Sequence, residues 1–475
     1  MPSRWAVTAE DAAEDARRKA EKEEKKRVKA ERQRKDEEAR RAAQPSPQPT
    51  GHDTHEEGRA TKRRRLSRHD DDDDDAIRTS TSAAASPDMQ LFRYHPKTWS
   101  ACRSITNFDL LNHIEEGSYG HVSRARAAST GEIVAIKKLK LDPIRDAGFA
   151  VTALREIQCL QASKHRHIVE LREVVYGTAE GSSHDHIYLV MDFLEHDLKT
   201  LQEEMAEPFM PSEVKTLLLQ LSSAVEYLHD HWILHRDLKT SNILLNNRGE
   251  VKLADFGMAR FVGDPAPANL TQLVVTLWYR APELLLGAKE YDGAIDVWSL
   301  GCIFGELMAQ QPLMPGKNEV DQLAKIFTLC GIPTEANWPG FRRLPNAASL
   351  RLPPSSNSGN TSSSFSSSSS SSSSIRTKFP SLTNAGSALL TSLLALNPAA
   401  RPTAKGILSH QYFTEDPRPK PTAMFPTFPS KAGQERRRRQ ASPDAPERGT
   451  APKLEGEVDF STVFEVRDGD VDGKG

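Results

Sequence analysis

The chain has 475 residues, with 63 Lys and Arg against 65 Asp and Glu, for a net charge of −2. The length exceeds one average domain, and the charge balance excludes a uniformly basic nucleic-acid binder while allowing local blocks of either sign. Hydrophobic residues make up 37% and there are 27 glycines, an apolar share slightly under the globular norm of about 45–50%, which points to unfolded flanks rather than several full cores. Four cysteines (Cys102, Cys159, Cys302, Cys330) are scattered without close pairs. They exclude a disulfide scaffold and a cysteine-based zinc site, and fit a reducing compartment. No stretch carries the ~18 apolar residues of a membrane helix, so no membrane association is expected. The charged N-terminus does not read as a secretory signal.

In chain order, residues 10–42 hold 24 charged side chains of 33, acid and base interleaved, with no apolar stripe to pack on a core. They are expected to form a solvated helix or unfolded arm, with a partner-binding helix as the alternative. With 13 basic against 11 acidic side chains, the arm lacks the cationic excess that phosphate binding needs, so direct nucleic-acid binding is not expected. Lys62 to Arg65 and Arg436 to Arg439 are basic clusters of the kind read by nuclear import; they point to the nucleus, with the cytoplasm as an alternative location. Six aspartates, Asp70 to Asp75, follow the first cluster.

From about residue 104 the apolar residues become periodic. Val134-Ala135-Ile136 predicts a buried strand and Leu154 to Ile157 a helix. Val214 to His229 predicts a longer helix, with Leu217, Leu218, Leu221, Val225 and Leu228 on one face. The Ser-rich stretch 354–374 cannot bury apolar surface and is expected to loop out. After residue 415 the chain is again low in hydrophobics. The expected organisation is an unfolded arm over 1–103, one folded unit over 104–415 interrupted by the insert 354–374, and an unfolded tail over 416–475.

Three motifs carry chemistry. In Ile114-Glu115-Glu116-Gly117-Ser118-Tyr119-Gly120-His121-Val122, glycines in a turn allow backbone N–H groups to approach phosphates. Alone the signal is weak. Lys137 ends the apolar run from Val134, where a buried ammonium needs a carboxylate; Glu156 is the candidate. The third motif decides the chemistry. His235-Arg236-Asp237-Leu238-Lys239-Thr240-Ser241-Asn242 precedes Asp255-Phe256-Gly257, and Ala281-Pro282-Glu283 follows. Phosphoryl transfer needs a base near the attacking hydroxyl, metal ligands for the triphosphate and a cation for the γ-phosphate. Asp237 supplies the first, Asn242 and Asp255 the second, and Lys239 the third, in the order of the protein-kinase signature set.

Residues 104–415 thus resemble the eukaryotic protein kinases. Thr276 to Glu283 and Gly331 to Gly340 are similar to the cyclin-dependent kinases. Glu195 to Lys199, Leu285 to Tyr291, and Met424-Phe425-Pro426-Thr427-Phe428-Pro429 resemble the PITSLRE group, including its plant and algal branch. The resemblance implies an α+β, bilobal fold with a small strand-rich lobe (about 108–192), a larger helical lobe (about 193–415) and ATP with Mg2+ between them. It places Gly117, Gly120 and Val122 over the nucleotide and Lys137 on its α/β-phosphates, paired with Glu156. Ala135 joins the adenine pocket. Met191 stands behind the adenine, Asp192, Phe193 and Leu194 form the hinge, Asp197 faces the ribose and Leu244 floors the pocket. It makes Asp296 and Arg401 structural, Arg401 pairing with Glu283.

The resemblance further implies an activating phosphate on Thr271, received by Arg155, Arg236 and Arg260, and inhibitory phosphates on Ser118 and Tyr119. Val274 and Val275 would shape a pocket favouring Ser/Thr-Pro. The partner implied is a cyclin, of the L type, docking on Ala150 to Glu156. Substrates would be nuclear proteins in transcription, RNA processing or the cell cycle. The chain departs from the common pattern at Glu115, which stands where the first glycine of the Gly-rich loop is usual, as in the PITSLRE group, and in the activation segment. The Asp255–Thr271 segment is one residue longer than usual, and Leu270 replaces a common aromatic. A silent scaffold is the alternative from another class; the presence of Lys137, Asp237 and Asp255 argues against it.

Overall fold

The strand Ile133–Leu139, buried on both faces over most of its length, organises the first half of the fold. Val134 and Ile136 face one way, with Phe108, Ala125, Val175, Tyr188 and Val190, and close a small core of their own. Leu139 and Leu189 face the other way and join the main core. The strands are β1 (Phe108–Gly117), β2 (Gly120–Ala127), β3 (Ile133–Leu139), β4 (Leu171–Thr178) and β5 (Asp185–Asp192), in the antiparallel order β1-β2-β3-β5-β4. Packed with them is the α-helix α1 (Val151–Ala162), which buries Ala153, Glu156, Cys159 and Leu160 and leaves Val151 and Leu154 exposed.

The computed structural model describes residues 101–117, 120–139, 151–178, 185–263, 270–271, 274–352, 371–429, 445–446 and 458–459, all within the unit His95–Gly475. The arm 1–100, Ser118, Tyr119 and both basic clusters lie outside the described residues. No helix among the described residues is long and apolar enough to cross a membrane.

The second lobe is helical. Its elements are α2 (Leu198–Glu204), α3 (Pro211–Asp230), α4 (Pro282–Leu285), α5 (Ala294–Ala309), α6 (Glu319–Cys330), α7 (Ser371–Lys378), α8 (Asn384–Leu393) and α9 (Ala404–Leu408). Helix α3 starts on a proline, which needs no intrahelical donor there. It buries Val214, Leu217, Leu218, Leu221, Val225 and Leu228 against α5 and α9. Short strands line the side facing the sheet: β6 (His196–Asp197) and β9 (Val251–Leu253) flank β8 (Ile243–Leu245), and β7 (Ile233–Leu234) pairs with β10 (Arg260–Phe261). Backbone bonds from Leu253 N–H to the His167 carbonyl (2.9 Å) and from Val169 N–H to the Leu253 carbonyl (3.0 Å) tie the lobes together.

Three boundaries differ from the sequence expectation. Residues 101–103 are not unfolded: Arg103 pairs with Glu173 and lies over the Phe108 ring. Of the serine stretch 354–374, the last residues are helical, because Ile375 and Phe379 are buried in the main core and Ser371 to Ser374 begin the helix they anchor. The tail expected to be unfolded over 416–475 is packed over 416–429, where Phe425 buries its ring, and Val458–Asp459 (β12) pairs in parallel with Leu350–Arg351 (β11).

Candidate active site

Lys137 lies on the face of β3 opposite Val134 and Ile136, turned toward α1. Its Nζ donates to Glu156 Oε1 at 2.6 Å and to Asp255 Oδ1 at 3.0 Å. Lys137 and Glu156 are buried. Burial opposes the ammonium, but Asp255 and Glu156 outweigh it, and the Lys137 pKa stands above the ordinary lysine value. Burial likewise opposes the Asp255 carboxylate, and Lys137 reverses that too, holding it below the usual range. Glu156 is pushed up, since burial and the like charge of Asp255 exceed the help of one shared cation. One ammonium serving two carboxylates explains all three directions.

The second cluster is built on the loop after β7. Asp237 is buried; its Oδ1 accepts from Thr276 Oγ1 (2.9 Å) and the Thr276 N–H (3.2 Å). Its Oδ2 stands 3.3 Å from Lys239 Nζ. Asn242 Nδ2 donates to the Asp237 carbonyl at 2.9 Å, which commits the amide nitrogen and leaves the amide oxygen as the ligand atom. Asp296 fixes the loop from below, accepting from the N–H groups of His235 (3.0 Å) and Arg236 (2.9 Å) and from His229 Nε2 (3.1 Å). Burial opposes its ionisation, yet His229 and these donors keep its pKa low. His235 Nε2 meets the Ala254 carbonyl (3.2 Å) while Nδ1 accepts from the Asp237 N–H (3.3 Å). That pattern needs the neutral ring protonated on Nε2, and burial lowers its pKa accordingly. The Phe256 ring, fully buried, meets His235 edge-on at 4.9 Å. Arg236 and Asp255 both adopt left-handed backbone (φ 62° and 58°), strain of the kind that persists where the surroundings over-determine it.

The nucleotide side is assembled from the sheet and hinge. Val122 faces Lys137 across β2–β3, and Ala135 faces Met191 across β3–β5. Gly120 has no room for a side chain: a Cβ there would lie 2.4 Å from the Lys138 carbonyl. Ile114 is on β1, exposed; Glu115, Glu116 and Gly117 complete that strand, and His121 is the second residue of β2. Leu194 is buried and Phe193 lies under the Arg124 guanidinium. Leu244 sits half-buried between buried Ile243 and Leu245. Asp197 is expected at a ribose; one of its oxygens caps α2, accepting from the Thr200 N–H at 2.8 Å.

A model of the protein kinase domain matches residues 108–413. The chain belongs to the protein kinase family. It is 52% identical over 332 residues to the serine/threonine-protein kinase ppk23 of Schizosaccharomyces pombe, covering 70% of this chain and 78% of that one. It is 46% identical over 383 residues to cyclin-dependent kinase 11B of Mus musculus, covering 80% and 46%. To cyclin-dependent kinase G-2 of Oryza sativa subsp. japonica it is 47% identical over 373 residues, covering 76% and 49%. It spans about half the length of the mouse and rice relatives. These matches place it in the PITSLRE group of cyclin-dependent kinases, which are Ser/Thr kinases.

Membership of the kinase family entails ATP and a divalent metal, and the donors fit one. Asp255, Asn242 and nearby Asp237 are hard oxygen ligands suited to such a cation. Among the described residues, no three His, Cys, Asp or Glu side chains form a metal cluster of their own; phosphate and water oxygens would complete the shell.

Around this centre the kinase is braced by buried ion pairs. Arg401 Nη1 and Nη2 meet Glu283 Oε1 and Oε2 at 2.6 and 2.7 Å, the pairing that the sequence implied. Thr271 is exposed, and its carbonyl accepts from Tyr291 Oη at 2.7 Å; the same hydroxyl accepts from Arg236 Nη1 at 3.0 Å. Arg260 is near enough to act on the Tyr291 hydroxyl, and Arg155 with Arg236 on the Cys159 thiol. Leu270 is buried, its N–H bonded to the Lys289 carbonyl at 2.9 Å, so backbone bonds hold both Leu270 and the expected phosphosite Thr271.

Sequence reasoning missed three contributors. Asp192, expected only as hinge backbone, spends its carboxylate on Arg172 Nε (3.0 Å) and Lys252 Nζ (2.5 Å), bridging the lobes. Glu306 accepts from Tyr279 Oη (2.6 Å) and Thr240 Oγ1 (2.8 Å), joining α5 to the catalytic loop. Arg280 donates to the Val274 carbonyl (3.0 Å) and the Val275 carbonyl (3.1 Å) and pairs with Glu319 at 2.8 Å. The carboxylate partnerships follow no local spacing: Asp192 with Arg172 and Lys252, Glu306 with Tyr279 and Thr240, and Arg280 with Glu319 each join distant parts of the chain.

Proposed function

We propose that this chain, bound to a cyclin, transfers the γ-phosphate of ATP to Ser or Thr followed by Pro in nuclear proteins of transcription, RNA processing or the cell cycle. The observation that carries the reading is Lys137 held between Glu156 and Asp255 while Asp237 is tied to Lys239, Asn242 and Thr276. Both halves of a phosphotransfer centre are assembled at once. Lys137 binds the α- and β-phosphates. Asp237 takes the proton of the substrate hydroxyl as its oxygen bonds to the γ-phosphorus; the bond to the β–γ bridging oxygen breaks and ADP leaves. Lys239 faces the charge on the transferring group. Asn242 and Asp255 would hold Mg2+, which would supply charge neutralisation of the triphosphate.

Proline selection is supported by Val275. It is left-handed (φ 62°), and Arg280 occupies its carbonyl. A substrate N–H after the phosphorylated residue then finds no acceptor there, and proline has none to satisfy. Phosphate on Thr271 would meet Arg236, Arg260 and Arg155. Ser118 and Tyr119, between β1 and β2, are proposed as inhibitory sites by charge repulsion against ATP. Val151 and Leu154, exposed on the helix that carries Glu156, support cyclin docking there, with an L-type cyclin proposed from the group. The basic clusters support the nucleus.

The test is to purify the chain with its endogenous partner and identify that partner by mass. A cyclin, together with phosphorylation of Ser/Thr-Pro peptides, is expected; a partner that is no cyclin overturns the reading. Deleting both basic clusters should reduce nuclear accumulation, and an unchanged distribution removes their role.

A further inference from the structure

We propose that the tail segment 417–429 is a strap that positions the ribose-and-adenine side of the nucleotide site, with Phe428 as its positioning residue. The inference rests on the proposed kinase function, with Asp197 and Leu244 lining the nucleotide site as the family resemblance implies.

The strap is anchored along its length. The Lys420 N–H donates to the Ser212 carbonyl (3.0 Å), the Lys420 carbonyl accepts from Thr216 Oγ1 (2.7 Å), and Lys420 Nζ pairs with Glu213 (2.8 Å). These fix it to the start of α3. Phe425 then turns inward against Phe209 at 6.2 Å and over Gly249. Gly249 is left-handed (φ 72°), and a Cβ there would come within 2.5 Å of Phe425 Cβ; the turn between β8 and β9 is bare at this point, and the ring covers it. Gln220 of α3 grips the same turn through the Gly249 carbonyl and the Val251 N–H, each at 2.9 Å.

Phe428 completes the strap. Its N–H donates to Asn247 Oδ1 at 2.9 Å, and its ring meets Phe209 and His196 edge-on at 6.3 and 5.9 Å. His196 is the first residue of β6 and pairs with Leu245; its neighbour Asp197 pairs with Leu244. Nε2 of His196 is buried with no hydrogen-bond partner. Swinging the ring outward would hydrate that nitrogen, and the Phe428 ring blocks the motion. A ring on the strap thus sits one residue from Asp197 and across one strand pair from Leu244. The Met424 to Pro429 motif, otherwise unexplained, gains a role that acts through His196 rather than by touching ATP.

The experiment measures steady-state kinetics of the full chain with its cyclin partner. Phe428→Ala is expected to raise the KM for ATP about five- to tenfold, with kcat and the KM for peptide changed less than about twofold. Phe428→Trp should restore the wild-type KM, and Phe428→Leu, which keeps apolar volume but not the ring edge, should fall between. An unchanged ATP KM in both Phe428→Ala and Phe428→Leu overturns the proposal. So does a parallel loss in kcat and peptide KM, the mark of general destabilisation. Asp197→Ala separates the layers. A raised ATP KM there with none in the Phe428 variants overturns the strap and leaves the site reading standing; an unchanged ATP KM in Asp197→Ala overturns the site reading and the strap with it.

Discussion

Replacing the proline after the phosphorylated serine tests the proposal that Val275 selects substrates. The Val275 carbonyl is already engaged by Arg280, itself buried and paired with Glu319. The β-branched residue is held in a left-handed conformation that costs on the order of 1–3 kcal/mol, so the arrangement is maintained against strain. An alanine at the substrate position brings an N–H into this pocket with no acceptor. Leaving a buried donor unsatisfied costs about 1–3 kcal/mol, which corresponds to about 5- to 150-fold in kcat/KM. The assay compares three peptides differing only at that position, with proline, N-methylalanine or alanine. Proline and N-methylalanine should perform alike, and alanine should be poorer by that factor. If alanine equals proline, the unpaired N–H is not what the site reads. If N-methylalanine is as poor as alanine, the pocket reads ring shape and the argument from Arg280 fails.

Burial pushes the Glu306 carboxyl up to about 7, against its bonds from Tyr279 and Thr240. At ~1.36 kcal/mol per pKa unit, its raised pKa supplies about 3 kcal/mol of stability that is present at low pH and is lost as pH rises through 7. Glu306→Gln should flatten the fall in melting temperature between about pH 4.5 and 7, and equal slopes in variant and wild type would refute the assignment. Thr271→Ala leaves the backbone bond to Tyr291 in place, so its expected loss of at least about tenfold in activity, from one to three missing charge-assisted bonds, reports the phosphate; full activity in a cyclin complex would exclude the site. Glu156→Gln removes one of two anions from Lys137 and should lower kcat/KM by roughly 10- to 100-fold, the ~1.5–3 kcal/mol of a hydrogen bond to a charged group; an unaffected enzyme would show that Asp255 alone holds the lysine.

The catalytic set is legible in the sequence because phosphoryl transfer confines its groups to two short loops. Asp237, Asn242 and Asp255 are read by spacing, and Lys137 by the cost of ending an apolar strand on an ammonium. The bracing groups are not legible. Asp192 meets Lys252 across the lobes, and Glu306 meets Thr240 from another helix, contacts that only the tertiary fold creates. The strap misleads composition for a different reason. Five prolines crowd its sequence, yet the bonds of Lys420 and two phenylalanines three residues apart hold it once α3, Phe209 and Gly249 offer a surface. The serine stretch shows the converse: Ile375 and Phe379 recruit serines into a helix they would not form alone.

The assignment of Asp237 as the base is tested most directly by Asp237→Asn in the purified cyclin complex. The variant keeps the shape of the side chain and its place beside Thr276 and Lys239 while removing the proton acceptor. Transfer of labelled γ-phosphate to a Ser-Pro peptide should fall by about 10²- to 10⁴-fold, the usual worth of general-base catalysis, with ATP affinity little changed. Equal transfer by variant and wild type would contradict it.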